Sequence, residues 1–184
     1  MNFQLLKSSE NLQNLITILS QSSIEDYNAL LNSFDFSAID FKPFESWSSK
    51  KYTRNCMYRD VNFELILLCW EKDQETAIHG HDGEDCWIYL LEGEMEEVFY
   101  AIDDDRYLRE KRSQKTFPKQ VSFMNDRLGF HKLKNNFRGR SMSLHVYAKP
   151  IENCRSFDEV SQRFIKRTLH YDTFKQLISK DVIS

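Results

Sequence analysis

From about Tyr52 onward the chain is a succession of short apolar runs, and this pattern restricts the fold more than any other feature. The runs cover 61–70 (VNFELILLCW), 86–91 (CWIYLL), 94–102 (EMEEVFYAI), 119–124 (KQVSFM), 141–148 (SMSLHVYA) and 163–171 (RFIKRTLHY). Each is of strand length. Turn signals stand among them at Glu92-Gly93, Asp103-Asp104-Asp105 and Asn125-Asp126. Many short strands in succession predict an antiparallel sandwich or barrel. The chain has only 5 glycines and 3 prolines, where average usage gives roughly 20, so Asp, Asn and Ser must make the turns. Its 14 Phe and 8 Tyr suit strands packed around a bulky core.

The first forty residues have a different period. Leu12, Leu15, Ile16 and Leu19 fall at i, i+3, i+4 and i+7, as do Tyr27, Leu30, Leu31 and Phe34. Ser22 with Glu25 has the spacing of a capping box ahead of the second stripe. Both stripes read as packing faces. The expectation is one mainly-β domain over 1–184, with a helical flank at 1–45 and a β-barrel at 50–172.

Charge and cysteine usage exclude several functions. Against 25 Lys and Arg stand 28 Asp and Glu, a net charge of −3, whereas a nucleic-acid groove or a membrane-seeking face needs clustered positive charge. No apolar run approaches the ~18 residues of a bilayer span. The opening MNFQLLKSSENLQ lacks the basic and long apolar regions of a secretory signal. Cys56, Cys69, Cys86 and Cys154 are scattered with no CxxC, which suggests neither a disulfide framework nor a zinc knuckle. A reduced, cytoplasmic setting and a monomer are expected.

The histidines carry the chemistry. His79 and His81 form HGH, which on a strand puts both imidazoles on one face. His131 follows far downstream in GFHKLKN. Two same-face imidazoles and a distant third suit a facial metal site; surface polarity is the competing reading of the HxH alone.

HGHDGEDCWIYLLEG and GFHKLKN resemble the two halves of the cupin barrel motif, with Cys86 where the first half usually carries a carboxylate. Glu84 and Asp85 stand close enough to be considered as a shifted carboxylate ligand. Three further segments, KYTRN (Lys51 to Asn55), SLHVY (Ser143 to Tyr147) and NCRSFD (Asn153 to Asp158), resemble the cysteine dioxygenase family, as does an HxH with Cys five residues on. The similarity runs in order from Tyr52 to Asp158.

That resemblance implies a cupin, an antiparallel jelly-roll-like β-barrel, holding Fe(II) on His79, His81 and His131. It implies oxidation of L-cysteine with O₂ to cysteine sulfinate, in cysteine catabolism toward sulfinate and taurine. Arg54 would pair with the substrate carboxylate and Tyr52 would add a hydroxyl. Ser143, His145 and Tyr147 would form a hydrogen-bonded relay, and Cys86 would become thioether-linked to Tyr147. Trp70 and Trp87 are candidates for the pocket wall. Three other readings stand beside this one: a dioxygenase for another thiol such as 3-mercaptopropionate, a zinc cupin isomerase, and a non-catalytic small-molecule binder. Relatives acting on 3-mercaptopropionate carry Gln where this chain has Arg54. An isomerase would want a carboxylate where Cys86 stands.

Overall fold

The structure, a computed structural model, describes residues 3–175, with side chains from Asn11 onward. Among the described residues two α-helices, α1 (Phe3–Gln21) and α2 (Tyr27–Ser33), precede eleven strands. These are β1 (Thr53–Arg59), β2 (Glu64–Trp70), β3 (Cys86–Glu92), β4 (Met95–Ile102), β5 (Leu108–Thr116) and β6 (Val121–Met124). They continue with β7 (Phe130–Lys134), β8 (Ser141–Tyr147), β9 (Asn153–Asp158), β10 (Arg163–Thr168) and β11 (Thr173–Phe174).

Six strands form one sheet in the order β11-β1-β2-β8-β3-β6. The remaining ones form β5-β4-β7 and β9-β10. The HGH segment sits between these two smaller sheets. His79 bridges His131 of β7 on one side and Ser156 of β9 on the other. Backbone bonds from Thr76 to Leu133, Gly80 to Arg155 and Phe157 to Ile78 continue the ladder, so residues 74–80 complete a second wall.

The central strands are apolar on both faces because both faces are covered. On β2, Leu65, Leu67 and Cys69 pack beneath the helices, while Ile66, Leu68 and Trp70 point into the barrel. β3 divides the same way: Trp87 and Tyr89 turn toward the helices, and Cys86, Ile88 and Leu90 turn inward. The stripe Leu12, Leu15, Ile16 and Leu19 is buried against this outer face with Tyr27 and Leu31, as its period implied. Burying a Leu or Ile side chain is worth about 1.5–3 kcal/mol, so the helical flank is bound to the barrel as one core.

Several local expectations are corrected. Ser22 and Glu25 form no capping box: Ser22 Oγ donates to the Ile18 carbonyl, and Ile24–Asp26 close a 3₁₀ turn led by Ser23. In the run 61–70, residues 61–63 are a turn, held by Asp60 Oδ1 accepting from the Asn62 and Phe63 amides. The HGH lies on a bridged loop rather than on a regular strand. The turn after β3 needs Gly93, which has φ +86° and approaches Ser141 so closely that a Cβ would sit 2.0 Å from its Oγ.

Candidate metal centre and its cleft

His79, His81 and His131 converge: one ligand nitrogen from each lies within 4.8 Å of the others. The geometry around each ring decides which nitrogen faces the centre. His79 Nδ1 donates to the Ala77 carbonyl at 2.9 Å, and His131 Nδ1 to Glu97 Oε1 at 2.7 Å. Both rings therefore carry their proton on Nδ1 and present the Nε2 lone pair. His81 Nε2 faces His131 Nε2 at 3.0 Å.

Two Nε2 atoms at that distance take between them either the proton of one neutral ring or a cation. Burial disfavours charging either ring. It pushes His79 down to about 3 and His81 well below the usual range, with the neighbouring histidines adding to the effect. A metal ion suits the gap, because ligands at ~2.1 Å and at right angles place their nitrogens ~3.0 Å apart. Among the described residues no carboxylate joins this cluster. Asp85 is occupied instead, accepting from Asn125 Nδ2 at 2.9 Å.

Two acidic residues that the sequence reading passed over hold the ligands in place. Glu97 on β4 is buried; besides His131 it accepts from Ser122 Oγ and, at 3.0 Å, from Gln114 Nε2. Such an outer partner fixes the ring orientation of a ligating histidine. Asp126 accepts from the His81 amide at 2.6 Å and the Gly83 amide at 2.8 Å, tying down the turn behind the HGH. Gly80 leaves room for it, since a Cβ there would meet Asp126 Oδ1 at 2.8 Å.

Beside the histidines opens a cleft of about 370 Å³, part of it solvent, lined among others by Tyr52, Arg54, His79, Tyr147, Cys154 and Arg167. Arg54 is 8% exposed, and its Nε and Nη2 are buried with no hydrogen-bond partner. Burial opposes its charge, but Tyr147, Tyr52 and Glu64 more than offset that, holding its pKa above the usual arginine range. Tyr52 stacks on Trp70 with ring centroids 4.6 Å apart. Glu64, fully buried, accepts from Tyr171 Oη and from the Ile151 amide at 3.0 Å, which fixes Ile151 in the cleft wall. Of the two candidate tryptophans Trp70 faces this side; Trp87 packs on Tyr27 and Phe123.

Ser143, His145 and Tyr147 share the inward face of β8. Trp70 Nε1 donates to Ser143 Oγ at 3.0 Å, and Ser143 Oγ lies 3.0 Å from His145 Nε2. An indole N–H only donates, so the Ser143 hydroxyl accepts from Trp70 and keeps its own proton and a second lone pair to meet His145 Nε2. His145 Nδ1 lies 4.0 Å from Cys86 Sγ. Burial, followed by the Arg54 charge, keeps His145 neutral by lowering its pKa well below the usual value. The Tyr147 ring lies 6.3 Å from that of His145, 25° from parallel. Cys86 and Tyr147 are direct partners across the β3–β8 ladder. Burial pushes the Cys86 thiol and the Tyr147 hydroxyl well up, so both stay protonated.

A family model described as cysteine dioxygenase type I matches residues 6–160. The cysteine dioxygenase type 1 of Danio rerio is 29% identical over 177 residues, spanning 90% of this chain and 85% of that protein. That of Homo sapiens is 27% identical over 158 residues, spanning 80% and 79%. Among solved structures, an uncharacterized conserved protein with a double-stranded β-helix domain from Klebsiella pneumoniae superimposes with a TM-score of 0.50 at 13% identity. That likeness, over 64% of this chain and 88% of that one, concerns the fold alone. With a family match over most of its length and three histidines gathered in its barrel, the chain belongs to the cysteine dioxygenase type I family: it is a cupin-fold enzyme, a thiol dioxygenase.

Proposed function

We propose that this enzyme is a cysteine dioxygenase that converts L-cysteine and O₂ to cysteine sulfinate, with Fe(II) held by His79, His81 and His131. The observation that carries the substrate reading is the buried, half-partnered guanidinium of Arg54 in the cleft beside the histidines. Tyr147 hydrogen-bonds one side of it, but two buried N–H groups left without partners are costly. A carboxylate completes it, because its two oxygens match the fork of the guanidinium. Iron, when bound by three neutral imidazoles, keeps its full 2+ charge and supplies the redox chemistry along with a preference for a thiolate ligand.

The protein residues do the rest. Arg54 holds the carboxylate, and Tyr52, braced on Trp70, narrows the cleft around it. Together they fix where the thiol of a held substrate sits relative to the histidines, an orientation effect that lowers the entropic part of the barrier. Tyr147 stays a phenol and so offers a hydrogen-bond donor to groups bound beside the histidines. Ser143 and His145 pack behind Cys86, with His145 bonded to Ser143 on one side and 4.0 Å from the thiol on the other. The four cysteines are free and buried, which supports a reducing compartment, the cytoplasm.

Comparison of thiols tests the substrate. L-Cysteine should give the highest kcat/KM. Cysteamine, which lacks the carboxylate, and 3-mercaptopropionate, which lacks the amine, should both be poorer. A preference for 3-mercaptopropionate would overturn the assignment to cysteine while leaving a thiol dioxygenase.

A thioether between Cys86 and Tyr147 is part of the same proposal. The two side chains face each other across the ladder, and coupling sulfur to the ring carbon ortho to the hydroxyl removes two hydrogens, with O₂ as the oxidant. The bond would lock the Tyr147 rotamer, a gain in preorganisation. Mass spectrometry of protein after many turnovers should find the joined peptides two hydrogens lighter than their sum. Cys86→Ser should slow turnover without abolishing it. Finding only unlinked peptides after prolonged turnover would remove the crosslink from the account.

A further inference from the structure

The cleft beside the histidines is lined by two guanidinium groups, Arg54 from β1 and Arg167 from β10. Their settings differ. Arg54 is buried, whereas Arg167 is exposed at the rim. The β9–β10 register explains how an arginine of an outer strand reaches this position. Arg167 pairs with Cys154, and Ile165 with Ser156. Direct partners in an antiparallel ladder share a face, and Cys154 and Ser156 both line the cleft. Arg167 is close enough for its charge to act on Tyr52, His79 and Cys154.

Arg167 lacks a close acidic partner, unlike other arginines of the chain. Arg59, Arg109 and Arg140 each lie within salt-bridge distance of a carboxylate, at 2.8, 2.9 and 2.8 Å. Among the described residues no carboxylate lies within salt-bridge distance of the Arg167 guanidinium, and Asp158 is near enough only to feel its charge. That charge is left largely for a ligand, and its exposure means that little desolvation opposes the contact. An anionic group on a ligand already held by Arg54 meets a second cation on the way out of the cleft.

We propose that Arg167 is a specificity-determining residue that favours thiols carrying a second acidic group, beyond the carboxylate taken by Arg54. The inference rests on the proposed reading of the cleft, in which Arg54 receives the first carboxylate. It adds a substrate class, the dicarboxylate thiols, for which mercaptosuccinate is the probe. 3-Mercaptopropionate, with one carboxylate and the same thiol chemistry, is its control.

The test is calorimetric titration of the iron-loaded protein without O₂. Arg167→Gln should weaken mercaptosuccinate binding about three- to tenfold, the range expected for a partly exposed charged contact, and change 3-mercaptopropionate by less than about twofold. Arg167→Lys should retain most of the preference. Arg54→Gln should weaken both ligands. If Arg167→Gln weakens both thiols equally, or neither, while Arg54→Gln weakens both, Arg167 is not a specificity residue and the reading of Arg54 stands. If Arg54→Gln weakens neither, the carboxylate reading of the cleft falls, and this inference falls with it.

Discussion

Replacing His131 by alanine should leave the purified protein with little iron and nearly no thiol oxidation. The substitution removes one of the three clustered nitrogens, the one that faces His81 Nε2 at 3.0 Å. It also strips Glu97 of its imidazole partner, leaving that buried carboxylate with Ser122 and Gln114 alone. Loss of an outer partner of a metal ligand costs about 10–100-fold in metal affinity or activity, so loss of a ligand itself should exceed the upper figure. Metal analysis and oxygen uptake on the same preparation provide the measurement. His145→Ala is the control: His145 lies outside the cluster, bonded to Ser143, and its variant should keep its iron. Normal iron and a normal rate in His131→Ala would require a different third ligand.

Arg54→Gln should lower kcat/KM for cysteine at least tenfold and leave cysteamine little changed. Gln keeps a donor but loses the charge and the fork. A charged hydrogen bond is worth roughly 1.5–3 kcal/mol, and each 1.4 kcal/mol is about tenfold. The size of the effect follows from burial: two of the guanidinium nitrogens have no partner inside the protein, so a bound carboxylate satisfies them without displacing another bond. Steady-state rates with both thiols provide the check. An equal fall for both would make Arg54 a structural residue of β1 rather than the carboxylate anchor.

The parts of the structure visible in the sequence are those where one physical demand acts alone. β2, β3 and β8 are covered on both sides, so their apolar runs stand out. β5 is hidden in LREKRSQKT because it lies at a sheet edge with most of its side chains in water, which erases alternation. The three histidines were legible because few other demands place imidazoles in a barrel. Glu97 was not, since in EMEEVFYAI nothing marks which of its glutamates turns inward; only the β4–β7 ladder, pairing Phe99 with His131 and Glu97 with Leu133, brings it to the ring. Glu64 and Tyr171 are 107 residues apart, and their bond exists only after the barrel closes. Arg167 was missed for a similar reason: RFIKRTLHY reads as one more strand, and its place at the cleft follows from pairing with Cys154.

The central claim is that this cleft and its three histidines oxidise the sulfur of cysteine with both atoms of dioxygen. The most direct measurement gives iron-loaded protein L-cysteine under ¹⁸O₂ and follows oxygen consumption and product mass together. The account predicts one cysteine sulfinate formed for each O₂ consumed, with both labelled oxygens on sulfur. Oxygen uptake yielding cystine, or sulfinate with oxygen from water, would contradict it.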